Sequence, residues 1–439
     1  MVNISALINS DLQHIWHPCT QMKDFEQCPP LVVHRAKGAY LYTDRGEIID
    51  GLSSWWCKSL GHGHPAIIAA MKKQLDAFEH VIAANTTHPA LVELGEKLAQ
   101  LSKKDHVFFA SDGSCAVEIA LKLVLHANQI KGQPHRNEFI ALTNGYHGET
   151  LGALSVSDTG RFKEPYEGYG VTCHFIDAAP YYVKSVKDSL WDDAEIAWQD
   201  TLVNLEKIKA NVGGLILEPI IQGAGGMQCY SANFLKKLAD WARANDIYLI
   251  ADEIMTGMGR TGEWLASHHA KIEADLICLS KGLTAGAMPL SCVLIDKGIY
   301  QLFYDDYNKG KSFLHSHTHS GNSLAVSAAL ATINTIESEG INQQAAELGQ
   351  LMHRIFNQIA SETHQLNNVR SVGAMVAADL VELDNDRVGY RFYQEALKRG
   401  ALLRPLGNTL YWLPPLNTPA HTIDKLAEIT LNAINATYD

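Results

Sequence analysis

Short apolar runs recur through the middle of the chain, and stretches with helical periodicity separate them. HVFFAS (106–111), EFIALT (138–143), GGLILEPII (213–221), IYLIAD (247–252), LICLS (276–280) and SCVLID (291–296) have the length and β-branched content of buried strands. Between them, NFLKKLADWARAND sets Phe234, Leu238, Trp241 and Ala242 on one helical face, and CAVEIALKLVLHANQ follows SDGS as a second helix. This alternation predicts an α/β fold whose mostly parallel sheet is covered by helices on both faces.

After about residue 322 the pattern changes to α+β order. A mainly helical region runs to about 362. GAMVAADL, a helix GYRFYQEALKRG, a hairpin ALLRPLGNTLYWLPP and a final helix near 421–438 come after it. Near the other end, AYLYTDRGEIIDG alternates as a β-hairpin with its turn at Asp44-Arg45-Gly46. The expectation is a large domain of residues 61–329 and a small α+β domain made from residues 1–60 and 330–439.

Composition narrows the function classes. The chain has 439 residues, 46% hydrophobic and 19% charged, with a net charge of −12. That acidic balance argues against nucleic acid and anionic membrane surfaces as partners. No apolar run is long enough to cross a bilayer, and MVNISALINSDLQ lacks the basic and apolar regions of a signal peptide. The 8 cysteines include no CxxC pair, so a reducing, cytoplasmic setting is expected.

Two of the predicted strands end in titratable groups, IYLIAD in Asp252 and LICLS in the following Lys281. About one strand–helix–strand crossover separates them. Both then lie at the carboxyl edge of one parallel sheet, where open α/β sheets place ligands. As a bare pattern the pair is as readily a structural ion bridge. Two further features favour chemistry. SDGS (111–114) puts Gly113 and Ser114 at a helix N-terminus, which suits a phosphate. NGYHGET (144–150) ends a strand with Tyr146, whose ring can cover a planar ligand. A lysine amine, a buried carboxylate, a phosphate cradle and an aromatic lid together match the needs of pyridoxal 5′-phosphate. The sequence contains no P-loop, and no GxGxxG opens a helix; QGAGGM (222–227) reads as a turn. Glu218 and Glu253 read as structural neighbours of the site.

LIADEIMTGMGRTGEWLASHHAKIEADLICLSKGLTAGAMPLS resembles the signature of the class III (ω-type) aminotransferases, which are fold-type I pyridoxal-phosphate enzymes. HIWHPCTQM, DGLSSWWCKSLGHGHP, NGYHGET, EPIIQGAGGM and RPLGNTLYWLPP extend the resemblance from residue 14 to 415. They direct it to the branch that aminates 8-amino-7-oxononanoate in biotin biosynthesis, with S-adenosylmethionine as the expected amino donor and, as alternatives, lysine as donor or another class III ω-aminotransferase. The resemblance implies a seven-stranded large domain and a homodimer with active sites at the subunit interface. It implies that Lys281 bonds to the cofactor aldehyde and shuttles the proton, and that Asp252 pairs with the pyridinium. Gly113 and Ser114 would hold the phosphate, with Thr318 reaching the cofactor of the partner subunit and His317 beside it. Tyr146 would stack on the ring and line the substrate site, Trp55 and Ser316 would meet substrate, and Arg404 would pair with the keto-acid carboxylate. Arg260 in GRTG is a second candidate for a substrate carboxylate.

Two places depart from the family pattern. HPCT carries Cys19 where members have an aromatic residue, and HSHT carries Ser316 and His317 where Gly and Pro are usual. The alternation of His315, His317 and His319 also admits a metal reading, for which no fourth ligand is indicated; no metal is expected.

Overall fold

The computed structural model of the chain describes residues 3–383 and 387–439. Its central sheet has seven strands in the order His106–Ala110, Ser291–Ile295, Leu276–Leu279, Tyr248–Asp252, Val212–Leu217, Glu138–Leu142 and Cys173–Ile176. Six run in one direction, and Ser291–Ile295 lies antiparallel to both of its neighbours. The fold class expected from sequence is therefore observed. The strand missed by the apolar pattern is Cys173–Ile176, a four-residue edge strand with three half-buried positions, too short and too polar to register as a run.

The interior strands are buried at nearly every residue, because helices cover both faces of the sheet. The helix Gly113–Ile130 buries Ala116, Val117, Ile119, Ala120, Leu121 and Val124 against one face. The helix Ala232–Ala244 buries Phe234, Leu238, Trp241 and Ala242, and Ser231 caps it by accepting the amide of Phe234 at 3.1 Å. Beyond residue 322 the helical region divides into Ser323–Ser338 and Ile341–Thr363, parted by Gly340 at φ +61°.

The segment 401–415 is not the hairpin its pattern suggests. Ala401–Leu402 pairs in parallel with Gly46–Asp50, and Thr409–Trp412 pairs antiparallel with Val376–Leu380. Pro405 has no amide to donate, and the chain bulges around Gly407 at φ +57°, so the two pieces enter different sheets. The predicted hairpin at residues 39–51 does form, and through Ala401–Leu402 it joins the C-terminal segment in one sheet.

Three backbone features shape the site from outside the sheet. Ser53, Ser54, Trp55 and Trp56 have φ of 48°, 45°, 67° and 73°. This is a left-handed turn of four non-glycine residues, each costing roughly 1–2 kcal/mol relative to right-handed backbone. Second, Arg370, 3% exposed, donates to the carbonyls of Gly226 at 2.6 Å and Met227 at 3.1 Å while pairing with Asp379 at 2.8 Å. It ties the Gly-rich loop after Gln222 to the C-terminal sheet. Third, Gly349 in the helix Ile341–Thr363 lies so near Gly373 that an added Cβ would stand 1.8 Å from the Gly373 carbonyl oxygen. Next to that contact, the Ala374 amide donates to the Arg260 carbonyl at 2.9 Å. Gly349→Ala is expected to lower stability by about 2–3 kcal/mol through backbone overpacking, read as an earlier midpoint in denaturant unfolding.

Candidate active site

The carboxyl ends of the parallel strands bring the predicted groups together. Asp252 lies beside Cys278 in register, three residues before Lys281 on the neighbouring strand. Its carboxylate is 3% exposed. Oδ2 lies 2.7 Å from His147 Nδ1, and Oδ1 accepts the Ile254 amide at 3.2 Å. The ion-bridge reading of Asp252 and Lys281 fails: among the described residues, Asp252 pairs with His147, and Lys281 has no carboxylate within ion-pair distance.

Lys281 follows the strand Leu276–Leu279 and takes φ +41°, an uncommon value for a non-glycine residue. Its half-buried side chain carries Nζ to 5.2 Å from the ring centre of Trp56. Burial lowers its pKa below the ordinary lysine value, and the attraction of Asp252 and Glu218 opposes this only in part. The amine is thus moved toward the neutral, nucleophilic form.

Asp112 caps the helix that starts at Gly113, accepting the Cys115 amide at 3.1 Å. Among the described residues, the amides of Gly113 and Ser114 have no partner, so they are open to an anion at the positive end of an 18-residue helix. Gly148 permits the approach beside them: at φ +125°, an added Cβ would lie 2.2 Å from Ser114 Oγ. Tyr146 is oriented at both ends. Its amide donates to Glu218 Oε2 at 3.0 Å and its hydroxyl donates to Glu149 Oε1 at 2.9 Å. Burial and the Glu149 carboxylate push the phenol pKa up, keeping it neutral.

Glu218 is 5% exposed and accepts the amides of Tyr146 and Gly223. Burial, with a further push from Asp252, raises its carboxyl to about 7. Glu253 turns away from this cluster to accept the amides of Ala266 at 2.9 Å and Ser267 at 2.8 Å, the structural part read for it from sequence.

A second group of residues forms the outer rim. The Arg404 guanidinium lies 5.5 Å from the Trp55 ring centre and donates to the Cys19 carbonyl. Cys19 Sγ is 3.9 Å from Glu149 Oε1, which puts the thiol beside the Tyr146–Glu149 pair. Trp55 is 49% exposed and does not reach Lys281; its neighbour Trp56 does. Arg260 is 3% exposed and donates to the carbonyls of Ala374 at 2.9 Å and Pro414 at 2.8 Å, and burial lowers its pKa to about 9.

The segment around residues 315–319 meets the SDGS loop. His317 Nδ1 is 3.3 Å from Ser111 Oγ, His315 Nε2 is 3.1 Å from His317 Nε2, and the Thr318 carbonyl is 3.1 Å from His80 Nε2. Ser316 and Thr318 are exposed. Among the described residues, no three His, Cys, Asp or Glu side chains converge as a metal site would require.

Sequence reasoning missed His147, Glu149 and Trp56. All three sit within quoted motifs, one to three residues from a residue that was named. Periodicity gives no information on loop side chains, so the only available signal was adjacency.

The groups present fit pyridoxal phosphate. A buried carboxylate steadied by His147 suits a protonated ring nitrogen, the free amides at Gly113 and Ser114 suit the phosphate, and an unpaired amine at Lys281 suits the aldehyde. The sequence profile of the family described as "Aminotransferase class-III" matches residues 22–434. The chain is 37% identical over 421 residues to the adenosylmethionine-8-amino-7-oxononanoate aminotransferase of Helicobacter pylori, an alignment covering 94% of this chain and 93% of the relative. Its structure is similar to that of the like-named enzyme of Methanocaldococcus jannaschii, with TM-score 0.91, 31% identity and 99% of each chain covered. It is also similar to a PLP-bound amine transaminase from an uncultivated Pseudomonas species, with TM-score 0.88 and 29% identity over 97% of this chain and 99% of the other.

The Glu218 carboxyl binds its proton more tightly in the fold than at the ordinary value of 4.5, so the stability it supports is full below that value and is lost as pH rises through about 7. Glu218→Gln has no such loss. Relative to wild type, the variant is expected to gain on the order of 2 kcal/mol between about pH 5.5 and pH 8, measured by denaturant titration at each pH.

Proposed function

Because the chain belongs to the class III aminotransferases, we propose that it transfers the amino group of S-adenosylmethionine to 8-amino-7-oxononanoate, giving 7,8-diaminononanoate for biotin synthesis. The observation that carries this reading is the unpaired, pKa-lowered Lys281 beside the buried Asp252 at the sheet's carboxyl edge. The near-full-length likeness to enzymes bearing that substrate in their name supports it. The cofactor is pyridoxal phosphate.

Pyridoxal phosphate supplies an aldehyde that exchanges amines and a ring that withdraws electrons from the carbon losing its proton. The residues of this chain do the rest. Lys281 would hold the aldehyde through its amine, and its Nζ would be the group that takes the proton from the donor's Cα and returns it one carbon away. Asp252 would hold a proton on the ring nitrogen, and His147, 2.7 Å away, keeps that carboxylate in place. The amides of Gly113 and Ser114 would hold the phosphate, and Tyr146, fixed at both ends, would cover the ring.

At the rim, Trp55 packs on the donor, and Arg404 binds the carboxylate of the keto acid. Arg404 is preferred to Arg260 for this role because it is exposed, whereas two backbone carbonyls already occupy Arg260. We infer a homodimer in which His317 and Thr318 serve the partner's phosphate and Ser316 its substrate. Exposed apolar groups support this: Trp16 at 86%, Tyr307 at 90% and Leu314 at 88%, beside a helix Ile4–His14 with no buried residue. No helix among the described residues is long and apolar enough to cross a membrane, and eight free cysteines suit the cytoplasm.

Purified protein given 8-amino-7-oxononanoate and either S-adenosylmethionine or lysine should form 7,8-diaminononanoate with the former. Product with lysine alone would move the donor assignment; product with neither would overturn the reaction. Arg404→Ala should weaken use of the keto acid by about 1.5–3 kcal/mol in kcat/KM while sparing the donor half-reaction, since one charge-assisted contact is lost.

A further inference from the structure

The four-residue left-handed turn at Ser53–Trp56 is the most strained backbone near the site. Non-glycine residues keep such a shape only where their surroundings over-determine it. Ser53 Oγ donates to the Leu413 carbonyl at 2.7 Å, and the anchor within the loop is Asp50, which is fully buried. Its Oδ1 accepts the Ser54 amide at 3.0 Å, and its Oδ2 accepts the Ser54 hydroxyl at 2.7 Å and faces His62 Nε2 at 2.8 Å. Burial alone would raise the Asp50 pKa, but His62 and Ser54 together hold it below the ordinary value. The carboxylate is therefore charged, and charged acceptors make the stronger hydrogen bonds. His62 is itself anchored by reciprocal backbone bonds to Gly38, both at 2.8 Å.

The chain just past this turn is joined to the lysine loop on two sides. Ser59 Oγ donates to the Gly282 carbonyl at 3.2 Å, and Lys58 Nζ donates to the Gly286 carbonyl at 2.9 Å. Cys57 lies so close to Gly286 that an added Cβ there would be 2.7 Å from Sγ. The turn also aims two indoles in different directions. Trp56, held through Nε1 by Tyr411 at 3.0 Å, lies against Lys281, and Trp55 meets Arg404.

We infer that Asp50 is a positioning residue: its carboxylate, with His62 and Ser54, clasps the left-handed turn and thereby sets both the Trp56 wall that locates the Lys281 amine and the Trp55 platform at Arg404. It touches neither substrate nor cofactor and acts through the turn. This rests on membership of the aminotransferase family and is independent of which substrates are used.

The test uses full-length protein stripped of cofactor and reloaded with pyridoxal phosphate, with no substrate present. The rate at which the imine absorbance of Lys281 returns is measured per folded molecule, alongside the tryptophan emission maximum. Asp50→Asn weakens the His62 leg, Ser54→Ala removes the hydroxyl leg, and Asp50→Ala removes all of them. Slowing of about tenfold in Asp50→Ala, and of threefold or more in Asp50→Asn or Ser54→Ala, is expected together with a red-shifted emission. The milder variants decide the matter if Asp50→Ala does not fold. Rates within threefold of wild type in the folded variants overturn the inference, and so does slowing without an emission shift.

Discussion

A carboxylate only 3% exposed cannot be left without compensation, and the Asp252–His147 contact is how this chain meets that demand. Much else depends on it. Asp252 meets His147 with one oxygen and a backbone amide with the other, while the Lys281 amine, with no carboxylate among the described residues at ion-pair distance, lies over an indole. His147 sits in the loop that also carries Tyr146, bonded to Glu218, and Gly148, packed against Ser114 at the start of the helix Gly113–Ile130. One buried carboxyl group thus ties that loop to the strand end at Asp252.

The fold was legible in the sequence to the extent that it rests on burial. Interior strands such as Leu276–Leu279, buried at every position, read as apolar runs, and the helix at Phe234, Leu238 and Trp241 read as a stripe. Cys173–Ile176 was not legible because an edge strand with half-buried positions has no such contrast. The segment after Ala401 was misjudged because alternation predicts strands without naming their partners. Pro405 and Gly407 can turn a chain back on itself or carry it into another sheet.

In the site, residues at strand ends were legible and residues in loops were not. Lys281 and Asp252 announced themselves as charges ending apolar runs. His147 and Trp56 stand beside named residues, but which of two adjacent aromatics faces the lysine depends on backbone handedness. No propensity argument would assign four consecutive left-handed residues to SSWW. Ser316 and Thr318 are exposed and half-buried His317 meets Ser111 and His315, so nothing in their local pattern announces a role at Lys281.

Arg370 gives the molecule one property that its domain order hides. Its guanidinium belongs by position to the C-terminal sheet, yet two of its bonds end on the Gly226 and Met227 carbonyls, in the loop that joins the short strands Ile221–Gln222 and Gln228–Tyr230. One residue earlier in that loop, Gly225 lies against Asn144, two positions from Tyr146, where an added Cβ would be 2.1 Å from the Asn144 oxygen. The outer part of the pocket is therefore not a detachable cassette. A chimera that exchanged the C-terminal region for a relative's would also cut the support of an aromatic lid some 200 residues upstream, unless an arginine arrived with the transplant at the same register.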